Sequence, residues 1–285
     1  MKIAILGTEN SHAKAFAELI RDDGDFAGIE IVGAYGYDGA ANQKLLEAGL
    51  VTRFAKSPDE FTDEVDGVLV TARHGDHHYE YALPYIKAGK AAFIDKPFTV
   101  KKAYSDELIS EAKKSGALIC GGSSLKFLRE LDEAKAFIAD KHIVGGHVNA
   151  PVSMVNDYAG FYFYAQHLIE MMTAVFGYEV RTVLAYCPDQ SKNRLSVIFD
   201  YGEYDVTANY TASYEYAVTV LTDKASCRIA TFSLGDCYKR ELTEFTEMVK
   251  TGVLPHAPND LVKPVTLLHA VQQSYAEGHA VKVEY

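Results

Sequence analysis

The sequence predicts an α/β protein: an N-terminal, Rossmann-like doubly wound parallel sheet followed by a C-terminal α+β domain with a largely antiparallel open sheet. Up to about residue 120, short apolar runs alternate with amphipathic helical segments, and such repeated units require right-handed crossovers and parallel strands. Beyond that point, several strand candidates alternate apolar and polar residues, which is typical of a sheet with one solvated face. A chain of 285 residues is long enough for two domains, which we place at 1–120 and 121–285.

The N-terminal elements follow from apolar periodicity and helix-capping residues. Asp38 and Thr99 are predicted to cap the starts of helices, and Gly49, Gly89 and Gly116 to end them. Strands are predicted at 3–6, 30–35, 65–71, 91–96 and 117–120, and helices at 11–21, 40–48, 76–88 and 100–115.

The C-terminal domain mixes helices with strands that are rich in tyrosine and β-branched residues. Helices are predicted at 128–140, 161–176, 238–250 and 265–275, and strands at 147–155, 180–187, 194–201, 204–214, 216–222 and 227–232. An open sheet of this kind needs covering, so we expect a homo-oligomer, a dimer or a tetramer, in which the sheet packs against a second copy.

Composition narrows the class of protein. The formal net charge of −11 argues against nucleic acid or an anionic membrane as a partner, because both require a basic face. No apolar run approaches the roughly 18–20 residues that span a bilayer, and the apolar part of Met1–Gly7 is too short for a signal peptide. The four cysteines show no Cys-x-x-Cys spacing, so we expect them to be reduced, in a cytoplasmic protein.

A lysine at the end of the fourth predicted strand is the first candidate for chemistry. The apolar run 91–94 leads into Asp95, Lys96 and Pro97. Open α/β folds bind ligands at the carboxyl ends of their strands, and the proline stiffens the backbone beside the lysine. The alternative is an ordinary surface lysine at a strand end, and this segment alone fits both interpretations.

The turn after the first strand matches a dinucleotide-binding fingerprint only in part. Gly7 is the first glycine of Gly-x-Gly-x-x-Gly, but Glu9 and His12 occupy the other two glycine positions. The N-terminus of the next helix still offers N–H groups to a phosphate, whereas Glu9 brings a negative charge near it. Asp38, two residues beyond the strand tip at Gly36, is either a ribose-binding acid or, more simply, a helix cap, and no arginine follows to bind a 2′-phosphate.

The segment after the third strand, Thr71–His78, contains three histidines and an aspartate. Histidine and carboxylate suit zinc or iron, but His77 and His78 are adjacent, and adjacent residues on a helix do not face each other. We therefore predict no metal site and interpret the segment as the polar rim of a ligand crevice.

The helix 161–176 carries His167 on a largely apolar face together with Phe163 and Glu170. A histidine in such a setting is usually a satisfied core residue. Here the tyrosine-rich, glycine-broken segment 157–160 precedes it, which suggests the entrance to a pocket.

Together these features resemble the Gfo/Idh/MocA family of NAD(P)-dependent oxidoreductases, nearly from end to end. Residues 95–97 resemble the family's Glu-Lys-Pro, and residues 122–127 resemble its Gly-x-Asn-x-Arg-Phe. Residues 163–170 resemble Asp-x-Gly-x-His-x-x-Asp, and residues 241–245 match the closing Glu-Leu-x-x-Phe.

The resemblance implies a dehydrogenase that transfers a hydride between NAD or NADP and a hydroxyl or carbonyl group of a sugar, polyol or related small molecule. Residues 1–120 would bind the dinucleotide, and residues 121–285 the substrate. Lys96 would polarise and position the substrate oxygen, and His167 would transfer its proton; a desolvated lysine and a histidine both suit such work near neutral pH. The implied cofactor contacts are Gly7, Thr8, Glu9, Asn10, Ser11, His12, Asp38, Thr71, His78, Asp95, Lys96 and Pro97. The implied substrate contacts are Lys126, Tyr162 and Tyr164.

The chain also departs from the family. The acid that usually stands four residues before the histidine is Phe163 here, and Tyr162 or Tyr164 is the candidate to supply a hydroxyl instead. Because the glycine loop is incomplete, a catalytically idle or regulatory member that binds a sugar-like or nucleotide ligand without turnover is an alternative. In the family the bond before this proline is often cis, so we expect a cis Lys96–Pro97 peptide.

Overall fold

A computed structural model describes residues 1–230 and 234–285, which form two compact units. The first unit comprises residues 1–122 and 238–262, and the second comprises residues 123–237 and 263–285. The division expected from the sequence, at 120–121, lies close to the first crossover between the units. It assigned residues 238–262 to the second domain, whereas they belong to the first unit.

The first unit is built on a parallel sheet with helical connections, as predicted. Its strands are β1 (Lys2–Leu6), β2 (Glu30–Tyr35), β3 (Gly67–Val70), β4 (Ala91–Asp95) and β5 (Ile119–Gly122). Its helices in this part of the chain are α1 (Ser11–Asp22), α2 (Gly39–Glu47), α3 (Gly75–Lys87) and α4 (Lys102–Ser115).

The strand order is β2-β1-β3-β4-β5, and each neighbouring pair is parallel. A parallel bridge between Ala34 and Phe54 adds the start of a further strand beyond β2. With this bridge counted, the sheet has the 3-2-1-4-5-6 order of the Rossmann fold. Ligands of such sheets bind where the order reverses, which here is the carboxyl edge between β1 and β3.

Thr99 does not cap α4, so that prediction was wrong. The N-cap is Lys101, which makes no side-chain capping bond. The Thr99 hydroxyl instead donates to the Lys101 carbonyl (2.9 Å) and lies 2.6 Å from Ser105 Oγ. It therefore connects the loop before α4 to a side chain of the helix without capping the helix N–H groups.

The fifth strand begins and ends two residues later than predicted, because a glycine pair continues the pairing with β4. Gly121 and Gly122 have φ values of +137° and +101° and lie opposite Ile94 and Asp95. A Cβ at Gly121 would lie 2.0 Å from the Ile94 carbonyl oxygen, so only glycine fits between the strands.

The second unit carries a seven-stranded sheet. Its strands are β6 (Ile143–Pro151), β7 (Thr182–Tyr186), β8 (Leu195–Asp200), β9 (Asp205–Thr211), β10 (Ala217–Thr222), β11 (Ser226–Ala230) and β12 (Val281–Lys282). Its helices are α5 (Arg129–Ile138), α6 (Tyr162–Phe176) and α8 (Lys263–Glu277). The order is β11-β10-β6-β9-β8-β7-β12, and apart from the parallel pair β6–β9 these neighbours are antiparallel.

One face of this sheet is apolar and buried, and α6 and α8 pack against it. The alternation of buried and exposed residues along β8 and β9 shows the predicted period of two. The other face leaves several large apolar side chains exposed: Leu184, Tyr186, Ile198 and Leu221.

One predicted strand of the second unit is displaced along the chain, and one observed strand was not predicted. β6 begins and ends four residues before the predicted 147–155, because Gly145 and Gly146 continue the strand rather than interrupt it. β12 was not predicted, since two residues carry no periodicity. The end of the predicted strand 227–232, at Thr231 and Phe232, lies outside the described residues.

Helix α7 (Leu234–Thr251) completes the core of the first unit. Leu242, Phe245 and Met248 are buried in the same cluster as apolar residues of β1, α1 and β4. The Phe245 ring meets Phe93 edge-on, with 6.4 Å between centroids. The sequence predicted this helix but not the unit in which it packs.

In the two described stretches of the chain, every helix is too short or too polar to span a bilayer.

Because Phe245 is fully buried, we expect Phe245→Ala to lower the free energy of unfolding by about 3–5 kcal/mol. Urea denaturation measures this change. Thr243→Ala is the matched control on the exposed side of α7; it loses a hydrogen bond to the Lys239 carbonyl and should cost no more than about 1 kcal/mol. Equal stability of the two variants would contradict the place of α7 in the core.

Candidate functional site

The turn between β1 and α1 keeps the tight glycine of a dinucleotide-binding loop. Gly7 has a φ of +98°, and its N–H donates to the Tyr35 carbonyl at 2.7 Å. Thr71, fully buried, donates its hydroxyl to the Gly7 carbonyl at 2.7 Å. A Cβ at Gly7 would lie 2.3 Å from the backbone nitrogen of Ala72. The chain can therefore pass between β2 and the end of β3 only with glycine at this position.

Glu9 occupies the position of the second fingerprint glycine and is only 9% exposed. Its Oε1 accepts a hydrogen bond from the backbone N–H of Arg73 at 3.0 Å. Its Oε2 is buried and has no hydrogen-bond partner among the described residues. A buried carboxylate oxygen in this state is an acceptor that a ligand's donor can satisfy.

The tip of β2 is filled by polar contacts within the protein. The Thr8 hydroxyl donates to Asn42 Oδ1, and the Asn42 amide donates to the Gly36 carbonyl at 2.8 Å. Asp38 accepts the N–H groups of Ala40 (2.9 Å) and Ala41, so its carboxylate caps α2. Of the two interpretations of Asp38, the structure shows the cap.

Asp95 joins the end of β4 to the start of α1. It is fully buried, and its Oδ1 accepts the backbone N–H of Lys96 at 2.6 Å. Its Oδ2 accepts the Asn10 amide at 3.0 Å and lies 2.6 Å from His12 Nδ1. Asn10 also caps α1 by accepting the N–H of His12, and the exposed Ser11 donates its hydroxyl to the Asn10 side chain at 3.3 Å.

The charge of this cluster follows from its neighbours. Burial raises the pKa of Asp95, but the charge and hydrogen bond of His12, together with the charge of Lys96, outweigh burial and hold the pKa well below its usual value. The carboxylate therefore stays ionised at neutral pH and needs the donors around it.

The loop that carries Lys96 is fixed from a second side. The Lys96–Pro97 peptide is cis, which confirms the prediction. His78, fully buried in α3, places Nδ1 2.7 Å from the Pro97 carbonyl oxygen and Nε2 2.7 Å from the Ala72 carbonyl oxygen. The imidazole thereby bridges the ends of β3 and β4, and burial lowers the pKa of His78.

Lys96 is buried, with 5% of its surface exposed, so it is not the surface lysine of the alternative interpretation. Burial lowers its pKa, and Arg73 acts in the same direction, while the charges of Asp95 and Glu241 oppose the shift. Glu241 is fully buried on α7. The sequence marked Glu241 only as part of a helical motif, and its influence on Lys96 follows from the placement of α7 in this unit.

The remaining histidines of the segment after β3 have separate roles. His74 caps α3 by accepting the N–H of Asp76 at 3.1 Å. His77 pairs with Glu80 at 3.1 Å and stacks on Tyr81. Among the described residues, no three His, Cys, Asp or Glu side chains are grouped so that they could hold a metal ion.

In the second unit, His167 lies on α6 and is 6% exposed. Its Nδ1 lies 2.6 Å from the hydroxyl oxygen of Ser123, which follows β5 directly and is fully buried. The ring of Tyr164 meets the imidazole edge-on at 5.3 Å, and Tyr216 does so at 6.4 Å. Sequence reasoning identified His167 and Tyr164 but passed over Ser123, whose only signal was its place at the end of a strand.

Glu170, one turn beyond His167, organises the neighbouring polar groups. It accepts the backbone N–H of Ser123 at 2.8 Å and the side-chain amide of Gln166. Lys126 places its Nζ 3.5 Å from Glu170 Oε2. Burial raises the pKa of Glu170, and the three neighbours reduce that shift without reversing it.

Tyr162 faces another part of the second unit. Its hydroxyl donates to Gln272 and lies 3.3 Å from His269 Nδ1, both on α8. Burial raises its pKa. Of the two tyrosines considered as replacements for the missing acid at Phe163, Tyr164 is therefore the one beside His167.

The residues of the β1–α1 turn fit NAD. The glycine turn and the start of α1 suit a diphosphate, since helix N-termini favour anions. The unpartnered Glu9 Oε2 suits a hydroxyl donor such as a ribose. The departure is at the β2 tip, where Gly36 stands in place of a ribose-binding acid.

We expect Asp95→Asn to destabilise the protein at pH 7 by about 2–3 kcal/mol, because the amide offers no charge to His12 or Lys96. The pKa of Asp95 is lower in the folded than in the unfolded chain, so its stabilisation is fully present above about pH 4 and is lost as the pH falls through the folded value of about 2. Urea unfolding between pH 7 and pH 3 should show the difference between variant and wild type shrinking toward acid.

Asp106→Asn removes an exposed carboxylate that pairs with Lys102 on the surface of α4, and it serves as the control. It should change stability by no more than about 1 kcal/mol at any pH in this range. A penalty for Asp95→Asn that did not vary with pH would contradict the ionised state assigned to Asp95.

Residues 1–122 match the Gfo/Idh/MocA family model, an oxidoreductase family with an NAD-binding Rossmann fold. Myo-inositol 2-dehydrogenase of Thermotoga maritima is 25% identical over an alignment of 285 positions, which covers 82% of this chain and 85% of that protein. The uncharacterized oxidoreductase YhhX of Escherichia coli is 35% identical over 75 residues, which are 24% of this chain and 22% of that protein.

Solved structures share the fold over the whole chain. GenD2 from gentamicin A biosynthesis, in complex with NAD, has a TM-score of 0.89 at 16% identity and covers 100% of this chain and 97% of that one. Scyllo-inositol dehydrogenase from Lactobacillus casei, with NAD(H) and scyllo-inositol bound, has a TM-score of 0.84 at 14% identity and covers 99% and 98%. The resemblance found in the sequence is confirmed for the N-terminal part of the chain: residues 1–122 match the Gfo/Idh/MocA family of oxidoreductases and have its NAD-binding Rossmann fold.

Proposed function

We propose that the protein is an NAD-dependent dehydrogenase that oxidises a secondary hydroxyl group of a polyol or sugar to a carbonyl, or catalyses the reverse reduction. The observation that carries this proposal is the buried Lys96, fixed at the carboxyl edge of an NAD-binding sheet. The relative aligned over most of the chain is a myo-inositol dehydrogenase, which favours a cyclic polyol as the substrate class.

The cofactor would be held by the β1–α1 turn. Gly7 gives the close approach, the start of α1 at Ser11 offers N–H groups, and Glu9 Oε2 accepts from a hydroxyl group. When bound, NAD supplies the hydride acceptor for the substrate carbon. Because no arginine follows the tip of β2, nothing there favours the 2′-phosphate of NADP over NAD.

Lys96 would position and polarise the substrate oxygen. Its ammonium group donates hydrogen bonds, and a donor aimed at an oxygen that gains negative charge lowers the barrier. The buried environment that lowers its pKa also strengthens its interaction with that oxygen, since water is excluded. The contacts of Asp95 and His78 fix the loop around it, so the geometry is set before substrate binds.

His167 would carry the proton of the substrate hydroxyl. An imidazole is the side chain best suited to accept or donate a proton near neutral pH. Tyr164 and Tyr216 flank it, and aromatic faces with polar tips suit the mixed apolar and hydroxyl surface of a sugar ring. Lys126, close to Glu170, is a further proposed substrate contact.

We also propose that the protein forms a homo-oligomer in the cytoplasm. The exposed apolar side chains on the sheet of the second unit, Leu184, Tyr186, Ile198 and Leu221, support a second copy as the partner for that face. The spacing of the four cysteines, none of which forms a Cys-x-x-Cys pair, agrees with a reducing compartment.

Lys96→Ala should lower kcat by about 10²-fold or more, because it removes the donor to the reacting oxygen, while the Kd for NADH stays within about threefold. NADH fluorescence measures binding, and NADH absorbance measures turnover with a panel of polyols that includes myo-inositol. Lys101→Ala, which alters an exposed lysine in the same loop, is the control and should leave kcat unchanged. Tight polyol binding by the wild type without NADH binding would contradict the proposal and support a regulatory role.

Glu9→Ala should raise the Kd for NADH about tenfold, because a hydrogen bond between a hydroxyl group and a buried carboxylate is lost. Glu9→Gln, which keeps one acceptor oxygen, should show a smaller increase. Titration followed by NADH fluorescence measures both. If Glu9→Ala instead bound NADH more tightly than the wild type, the carboxylate would be repelling the diphosphate, and its proposed contact with the cofactor would be wrong.

A further inference from the structure

We infer that Ser123 is the positioning residue of His167: its hydroxyl holds Nδ1 and leaves Nε2 as the nitrogen that exchanges a proton with the substrate. This inference rests on the proposed function for the identity of the reaction, but not for the contact itself. The two atoms are 2.6 Å apart, Ser123 is fully buried, and the imidazole is 6% exposed. Because this contact is short and buried from solvent, it restricts both the position and the rotation of the imidazole ring.

Ser123 is itself fixed by its neighbours. Its hydroxyl oxygen accepts the N–H of Leu125 at 3.1 Å, which caps the short 3-10 turn Ser124–Phe127. Its backbone N–H donates to Glu170 at 2.8 Å. Because Glu170 and His167 lie three residues apart on α6, one helix contacts both the backbone and the side chain of the serine. The serine oxygen is therefore a fixed point rather than a mobile surface hydroxyl.

The Ser123 hydroxyl can stay hydrogen-bonded to His167 Nδ1 throughout the proton transfer, because a hydroxyl group both donates and accepts. Before oxidation of an alcohol, neutral His167 would carry its proton on Nδ1 and donate it in a hydrogen bond to Ser123 Oγ, so that Nε2 is the unprotonated nitrogen. Nε2 would then take the proton of the substrate hydroxyl, and NAD, when bound, would supply the acceptor for the hydride of the same carbon, so that the alcohol becomes a carbonyl and the ring an imidazolium. The imidazolium still donates from Nδ1 to the serine, so no rearrangement is needed.

The serine supplies a hydrogen-bonding group that Phe163, four residues before the histidine on α6, cannot supply, because an apolar ring does not accept a hydrogen bond from the imidazole in the way a hydroxyl oxygen does. The structure shows Ser123 at Nδ1, whereas the Tyr162 hydroxyl donates to Gln272. A neutral serine orients the ring without adding a second negative charge beside the buried Glu170, whose burial already raises its pKa.

The test compares Ser123→Ala with Ser123→Thr, which keeps the hydroxyl, and with Ser274→Ala, which removes another fully buried serine hydroxyl of the same unit. Imidazole ¹⁵N NMR reports the tautomer of His167, assigned with His167→Ala. We expect Ser123→Ala to shift both His167 ring-nitrogen signals. The same variant should lower kcat about 10- to 100-fold, which is a part of the roughly 10²–10⁴-fold contribution of general acid–base catalysis. KM should change by less than about threefold. Ser123→Thr should restore both.

In the His167→Ala background, Ser123→Ala should have no further effect on kcat, because the serine acts through the histidine. The inference is overturned if Ser123→Ala leaves the His167 signals and kcat as Ser274→Ala does, or if it lowers kcat equally with and without the histidine. If Ser123→Ala does not fold, a Ser123→Cys variant, with its weak donor, replaces it in the same comparison. If the wild type turns over no polyol, the proposed function fails, while the NMR comparison still decides whether Ser123 holds His167.

Discussion

The buried carboxylate of Asp95 is the interaction on which the candidate site of the first unit depends. A charge without solvent is tolerated only where donors surround it, and these come from Asn10 and His12 on one side and from the Lys96 backbone on the other. The carboxylate thus fixes the end of β4, which carries Lys96, against the start of α1, where the proposed cofactor site begins. The charge of Asp95 also opposes the lowering of the Lys96 pKa by burial. Lys96 is therefore buried but interacts with a negative charge.

Much of this arrangement could be predicted from local patterns, and the rest could not. The parallel sheet, the position of Lys96 at a strand end and the helical face of His167 follow from periodicity and turn residues within short segments. Ser123 and Glu241 could not be assigned roles, because their importance comes from residues more than 40 positions away in the chain, His167 and Lys96. For Thr99 a local pattern gave a wrong prediction: its residue type and position suggested a helix cap, but its hydroxyl contacts Ser105 in the next helix instead.

Compared with the family motifs that the sequence resembles, the chain retains the two side chains proposed to react and differs at positions around them. Lys96 and His167 are present, while the second loop glycine is Glu9, the ribose acid is Gly36 and the acid near the histidine is Phe163. At two of these positions the protein satisfies a polar atom locally: the Arg73 N–H donates to Glu9 Oε1, and the Asn42 amide donates to the Gly36 carbonyl. Such replacements preserve orientation but alter charge near the ligand, which is where affinity and specificity for a small molecule are set.

The position of α7 has a consequence for how the protein is made. Domains usually fold as units during synthesis, from the N-terminus onward. Here residues 1–122 leave the ribosome long before Leu242, Phe245 and Met248, which belong to the same hydrophobic core. The nascent nucleotide-binding segment therefore carries an uncovered apolar surface while the entire sheet of the other unit, apart from its last short strand, is being translated. The core of the first unit can therefore be completed only after residues 238–262 have been synthesised.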